Sequence, residues 1–180
     1  NARFIAADAI LMYTNIDTGH ALKVLRWFLE ELERDRKLPE EFDINMIIEA
    51  ATIVMRWNIV EFGDAFFKQL IGTAMGTPVA VTWATIYFYW HESHVLIPKY
   101  GRKMILNFRF VDDIFAIALF GGDDGFSQDE FDEFKQDIND FGLLRWEVNE
   151  PSTHVKFLNL TLTIENDLIT SKICQKPTNV

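Results

Sequence analysis

Between Phe108 and Phe115 the chain reads Phe-Arg-Phe-Val-Asp-Asp-Ile-Phe, two short runs of strand-forming residues interrupted by adjacent carboxylates. Residues 105–110 read as one β-strand and 114–119 as the next, which places Val111, Asp112 and Asp113 at the tip of a hairpin. Side chains alternate between faces along a strand and a turn breaks that alternation, so both carboxylates can approach one site. Their repulsion there is relieved only by a cation. Hard divalent ions such as Mg2+ favour an all-oxygen donor set, and a two-metal phosphoryl-transfer centre needs such a cluster to hold ions about 3.5–4 Å apart. Paired aspartates are also common in turns that do no chemistry, because Asp caps and tightens them. The pair alone leaves both readings open, and the rest of the chain has to separate them.

With 49% hydrophobic residues and 16 Phe among 180, the chain can bury a substantial core as one domain, 1–180. No apolar run reaches the roughly 18 residues of a membrane span, and no basic segment followed by an apolar one marks a signal peptide. The expectation is an intracellular protein with no membrane partner. The single Cys174 excludes an intrachain disulfide and suits a reducing compartment. Strand-like residues follow Asn1 at once and no closing element precedes Val180, so the sequence reads as a fragment of a longer protein. A net charge of −10 is a poor balance for a free-standing nucleic-acid binder, whose affinity comes largely from Lys and Arg neutralising phosphates.

Residues 3–12 read as a strand entering a turn at Tyr13-Thr14-Asn15-Ile16-Asp17. A helix over 18–37 carries Ala21, Leu25, Phe28, Leu29 and Leu32 on one face. The break at Leu38-Pro39-Glu40 precedes a second helix after Asp43, with Ile44, Ile47, Ile48, Ala51, Val54 and Met55 at helical spacing. Residues 59–62 and 65–71 form a hairpin around Gly63-Asp64. After a glycine-containing loop over 72–77, Thr77 and Pro78 read as N-cap and first residue of a helix running to Val95. That helix is apolar nearly all round, which predicts a buried, central position. Downstream, Gly121-Gly122-Asp123-Asp124-Gly125 is a loop that lacks the ligand spacing of a calcium site. Ser127 and Glu130 form a capping box with Phe126 and Phe131 as its hydrophobic staple, and the helix turns Phe131, Phe134, Ile138 and Phe141 inward. Residues 145–148, 155–164 and 168–174 read as closing strands. This order predicts an α+β fold, a largely antiparallel sheet with helices packed on one face.

Three separated segments now line up: Asp8-Ala9-Ile10-Leu11-Met12-Tyr13-Thr14-Asn15-Ile16, Gly72-Thr73-Ala74-Met75-Gly76-Thr77-Pro78-Val79-Ala80, and Phe110-Val111-Asp112-Asp113. Together they resemble three successive motifs of reverse-transcriptase palm domains. The closer match is to Penelope-like retroelements, a group similar to telomerase catalytic subunits, whose later Phe-Leu-(Asp/Asn)-Leu strand is here Phe157-Leu158-Asn159-Leu160. The resemblance spans essentially the whole chain and implies a polymerase palm. The implied activity is that of an RNA-directed DNA polymerase, extending a DNA primer on an RNA template with deoxynucleoside triphosphates and two Mg2+ ions, with Mn2+ as a substitute. It implies Asp8 as the first metal-binding carboxylate, Asp112 as its partner and Asp113 as the third, less direct acid. Ala9, Tyr13, Met75 and Gly76 would meet the incoming nucleotide, the ring of Tyr13 rejecting a 2′-hydroxyl. Gly72, Thr73, Phe157 and Leu158 would contact template and primer. Basic fingers would precede Asn1, a thumb would follow Val180, and the location would be nuclear.

The chain departs from the family at Phe110, usually Tyr, at Val81, often Pro, and at Cys174, usually Tyr; none of these removes a carboxylate. Lys135 and Lys156 are the candidates for a general acid. As plain sequence Tyr13 could be a packed strand-end aromatic, and the 72–77 loop a simple connection. His91 and His94 lack the i, i+4 spacing of a helical zinc pair, and with one Cys plus His20 and His154 no zinc site is expected. The charge run 30–37 reads as a solvated helix terminus. The alternative to a polymerase is a catalytically silent, domesticated or decaying copy serving as a structural or nucleic-acid-binding module.

Overall fold

The computed structural model describes residues 1–73, 75–166 and 168–174. In chain order it builds β1 (Ala2–Ala9), a 3-10 turn (Met12–Thr14), α1 (Thr18–Arg34), α2 (Ile44–Arg56), β2 (Ile59–Phe62), β3 (Ala65–Lys68) and α3 (Ala80–His91). A π-helical turn (Glu92–Leu96), α4 (Ile97–Tyr100) and a 3-10 turn (Gly101–Lys103) lead into β4 (Met104–Phe110) and β5 (Asp113–Leu119). Then follow α5 (Gln128–Asp137), β6 (Trp146–Val148), β7 (His154–Phe157), β8 (Leu160–Glu165) and β9 (Leu168–Ile173). The result is α+β with antiparallel sheets, as the element order predicts. Two units divide the chain: a sheet unit of Asn1–Ile10, Val95–Asp140 and Trp146–Val180, and a helical unit of Leu11–His94 and Phe141–Arg145. Among the described residues no helix is long and apolar enough to cross a membrane.

In the sheet unit, four antiparallel strands run in the order β4-β5-β1-β6, and β7-β8-β9 form a second sheet. Phe4 and Ala6 of β1 and Phe115 and Ile117 of β5 lie on one face, packed with Val155 and Phe157 of β7. Ile5, Ala7, Ile114, Ala116 and Ala118 on the other face are also buried, so β1 and β5 are central strands covered on both sides. The closing strands supply the second layer, because their alternating apolar residues need a partner as much as the first sheet does.

Before α5 the capping box is complete, with Glu130 N donating to Ser127 Oγ (3.2 Å) and Ser127 N donating to Glu130 Oε2 (2.9 Å). Lys103 Nζ donates to Glu130 Oε1 at 2.6 Å, and this bond, with those from Ser127, holds the Glu130 carboxyl down at about 2. Phe126, Phe131, Phe134 and Ile138 are buried behind the cap. Ser127→Ala should lower the unfolding free energy by about 1 kcal/mol in a denaturant titration. An unchanged midpoint would mean that Lys103 and Glu130 set the helix start without the hydroxyl.

In the helical unit, α1 packs against both α2 and α3. Asp17 caps α1 by accepting from His20 N (2.6 Å), and Asp43 caps α2 by accepting from Asn45 N (2.8 Å) and Met46 N (3.1 Å). Val54, expected inside, is exposed, while Ile44 and Met55 are buried. The expectation that α3 is buried all round also fails. Ala80, Trp83, Ala84, Tyr87, Phe88 and His91 form one buried stripe, while Val81 and Tyr89 are exposed. His20 Nδ1 lies 2.8 Å from Tyr87 Oη, and burial pushes the His20 pKa below 6.5. The unfolded chain therefore binds a proton before the folded one does. The stability tied to neutral His20 should be intact above pH 6.5 and lost as pH falls through the lowered value. Denaturation midpoints measured on either side of pH 6.5 should show this slope in the native chain and a flatter one in His20→Gln; equal slopes would remove His20 as the cause.

Several boundaries differ from the sequence reading, three of them at a residue with positive φ. β1 ends at Ala9 rather than continuing to Met12, because Leu11 adopts φ +48° and starts a 3-10 turn. α1 stops at Arg34, where Arg36 (φ +56°) closes a Schellman motif through Lys37 N to Leu32 O (2.8 Å) and Arg36 N to Glu33 O (2.9 Å). The expected strand over 155–164 is a hairpin, β7 turning into β8 at Leu158 (φ +51°) and Asn159. α3 begins at Ala80 with Val79 as its cap position, two residues later than Thr77 and Pro78 suggest.

Candidate functional site

The register of β1 with its two neighbours carries the site. Asp8 pairs with Asp113 of β5 on one side and with Glu147 of β6 on the other, and Phe110 of β4 pairs with Asp113. Directly opposed residues in antiparallel strands point to the same face, with Cβ atoms about 4.5–5.5 Å apart. One row across the sheet therefore reads Phe110, Asp113, Asp8, Glu147. It ends the face whose deeper positions are Phe115 and Ala6, then Ile117 and Phe4, so the carboxylates cap an apolar core. Three like charges in adjacent positions are unfavourable. Glu147 is exposed and was missed in the sequence, although its place between buried Trp146 and half-buried Val148 assigns it to the outward face of a strand.

Asp112 lies one residue away, on the two-residue loop that joins β4 to β5. Val111, the other loop residue, has φ +54°. This sign is normal for glycine at the first central position of a type II′ hairpin turn and costly for a β-branched side chain. Arg109 Nη1 donates to Val111 O (3.1 Å) and Ala9 N donates to Asp112 O (2.8 Å), so both loop carbonyls are tied down. Ala9 is thus a buried backbone anchor for the aspartate loop. Phe157 packs against Phe115, the rings tilted by 35° with centroids 5.1 Å apart, which places the β7–β8 turn at Leu158 against the face that ends in the carboxylates.

The remaining sequence candidates lie in the helical unit. Gly72 N donates to Ile16 O (3.0 Å) and Thr73 N donates to Tyr13 O (2.6 Å), binding the glycine loop to the turn that carries half-buried Tyr13. Gly72 has φ +86°, and a Cβ there would stand 2.8 Å from Thr14 Cα, Thr14 O and Tyr13 O. The close approach that its missing side chain permits is therefore to the chain's own backbone. Gly76 (φ +91°) has open space beside its α-carbon, and Met75 beside it is exposed. Ala74 of the same string lies outside the described residues.

A divalent cation can be tested against these donors. Asp8 and Asp113 supply hard oxygen ligands from opposed positions, and the like charges of the row favour a cation. Among the described residues, no group of three or more His, Cys, Asp or Glu side chains is disposed to hold a metal ion. The donors brought together are thus two opposed carboxylates, with Asp112 adjacent on the loop. Of the general-acid candidates, Lys135 is engaged by Asp132 (2.6 Å) and Glu150 (3.0 Å), and Lys156 is exposed on β7.

No protein-family model and no curated protein matches the chain. Solved structures do. Apo telomerase from Candida tropicalis truncated from its C-terminal domain superposes with a TM-score of 0.64 at 12% identity, over 95% of this chain and 35% of that one. Telomerase from Candida albicans, solved in complex with a TWJ fragment of telomeric RNA, superposes with a TM-score of 0.65 at 13% identity, over 97% and 32%. This chain spans about a third of the length of those it matches. The likeness is one of fold: the α+β architecture of this chain superposes on part of those telomerase structures.

Proposed function

We propose that the chain is the palm of an RNA-directed DNA polymerase of the Penelope-like retroelement type, acting in the nucleus. The observation that carries this reading is the pairing of Asp8 with Asp113 beside an Asp112 loop, in a chain that also contains the string GTAMGTP. Asp8, Asp112 and Asp113 would hold two Mg2+ ions, which when bound neutralise the charge that develops on a primer 3′-oxygen and on leaving pyrophosphate. Asp112 is presented by a loop whose carbonyls Arg109 and Ala9 fix, so its carboxylate is placed before substrate arrives. The Phe157–Leu158 turn would face the primer end. In the helical unit, Tyr13 would select against a 2′-hydroxyl, exposed Met75 and open Gly76 would meet the nucleotide, and Thr73 would support template contact.

Primer extension by the full polypeptide that carries this chain tests the reading. DNA primer should grow on an RNA template with deoxynucleotides and Mg2+, and ribonucleotides should be taken up poorly. Nucleic-acid binding without incorporation on any template would replace this reading with the catalytically silent copy. Extension on DNA templates alone would make it a DNA-templated polymerase.

A further inference from the structure

Outside the carboxylate row, the helical unit carries a feature that polymerase chemistry does not use. Trp27 of α1 is 41% exposed and faces half-buried Trp90 of α3, with ring centroids 5.7 Å apart. The two rings, with Glu30, Glu33 and Arg34, line an open cavity of about 610 Å3. A second cavity of about 450 Å3 shares Glu30 and Glu33 and continues past Arg26, Glu40, Glu41 and Asp43. Trp90 is braced by His94, stacked at 3.8 Å, whose Nε2 lies 3.5 Å from Glu31.

The charge of this cleft is one-sided. Five carboxylates stand against the guanidinium groups of Arg26 and Arg34. Asp43 is committed to the α2 cap, and Glu30 lies 3.8 Å from Arg26. Glu33, Glu40 and Glu41 form no ion pair among the described residues. Phosphate-bearing ligands are repelled by such a surface. Ring faces carry negative potential and attract ammonium or guanidinium groups, most strongly at Trp. The size of the paired cavities exceeds one cationic group and suits a chain segment with several.

We infer that the Trp27–Trp90 cleft, with its carboxylate rim at Glu30, Glu33, Glu40 and Glu41, docks a basic peptide segment of a partner protein, one Lys or Arg lying against the exposed indole surface of Trp27. The inference does not depend on polymerase activity. What the sequence presents as a solvated helix end is, on this reading, the acidic half of a protein interface.

Fluorescence anisotropy on this chain tests it, with a fluorescein-labelled peptide alternating glycine and arginine as the probe. A glycine–glutamate peptide and a single-stranded DNA serve as comparators. The arginine peptide should bind, and the Glu30→Gln/Glu33→Gln pair should weaken it by about tenfold. Trp27→Leu keeps an apolar side chain but loses the ring face, and should weaken binding by about threefold to fivefold. Asp123→Asn/Asp124→Asn, which removes the same charge from an exposed loop of the sheet unit, should leave binding unchanged. The inference is overturned if Trp27→Leu and the glutamate pair bind like the native chain. It is equally overturned if the loop variant loses as much affinity, or if the DNA competes for the cleft.

Discussion

Asp8→Asn and Asp112→Asn, each made in the full polypeptide, should lower primer extension by about a thousandfold while leaving the fold intact. Asp8 is exposed and Asp112 lies on a loop, so neither substitution removes core packing. Changes at such positions usually alter stability by about 0.5 kcal/mol or less. Extension rates and thermal midpoints measured on the same preparations therefore separate a lost charge from a lost fold. Asp113→Asn should behave similarly, since Asp113 stands opposite Asp8 in the row. Glu147→Gln is the informative companion. If Glu147 only adds negative potential beside Asp8, its loss should reduce extension less than either aspartate variant does. Native-like extension by Asp112→Asn would remove the aspartate loop from the chemistry, whatever the overall likeness to polymerases.

Gly72→Ala should destabilise the helical unit by about 3 kcal/mol. A non-glycine residue in the left-handed region costs roughly 1–2 kcal/mol, and forcing a methyl into filled space a further 1–3 kcal/mol. The filled space is backbone: Thr14 Cα, Thr14 O and Tyr13 O, each 2.8 Å from the added carbon, none of which can swing away as a side-chain tip would. Relief requires the loop to leave the Tyr13 turn, breaking the bonds Gly72 N to Ile16 O and Thr73 N to Tyr13 O. Gly76→Ala is the control, because its φ is as unfavourable but no atom lies within 4 Å of the added carbon. Denaturant titration of both variants should rank Gly72→Ala well below Gly76→Ala. Equal midpoints would mean that the glycine loop is not held by the Tyr13 turn. In a nucleotide-binding assay the order should differ, since the open space lies at Gly76.

Much of the molecule could be read from short windows of sequence. Asp43 and Ser127 announce helix starts because a side-chain oxygen one residue before a helix accepts its free N–H groups wherever the rest of the chain lies. The alternation around Asp112 and Asp113 marks a hairpin for the same local reason. Boundaries failed where a residue without glycine's freedom takes positive φ, at Leu11, Arg36 and Leu158. Nothing in those side chains signals the conformation; it is imposed by the pairings on either side. Asn159 was the one overlooked turn signal in the run that splits into β7 and β8.

What the sequence alone determined, then, is the order and kind of most elements, the caps at Asp43 and Ser127, and the two adjacent carboxylates on a hairpin, because each depends on neighbours a few residues away. Tertiary structure decided the rest. Whether Asp8 meets Asp113 or a residue beside it depends on register between strands more than a hundred positions apart, and a slip of one would turn every side chain to the other face. The same pairing recruited Glu147, which carries no motif. Only folding revealed that the space at Gly72 is taken by the backbone of Thr14, and that α3, apolar all round, buries a single stripe. Composition states what a surface can bury, but long-range packing chooses which surface is covered.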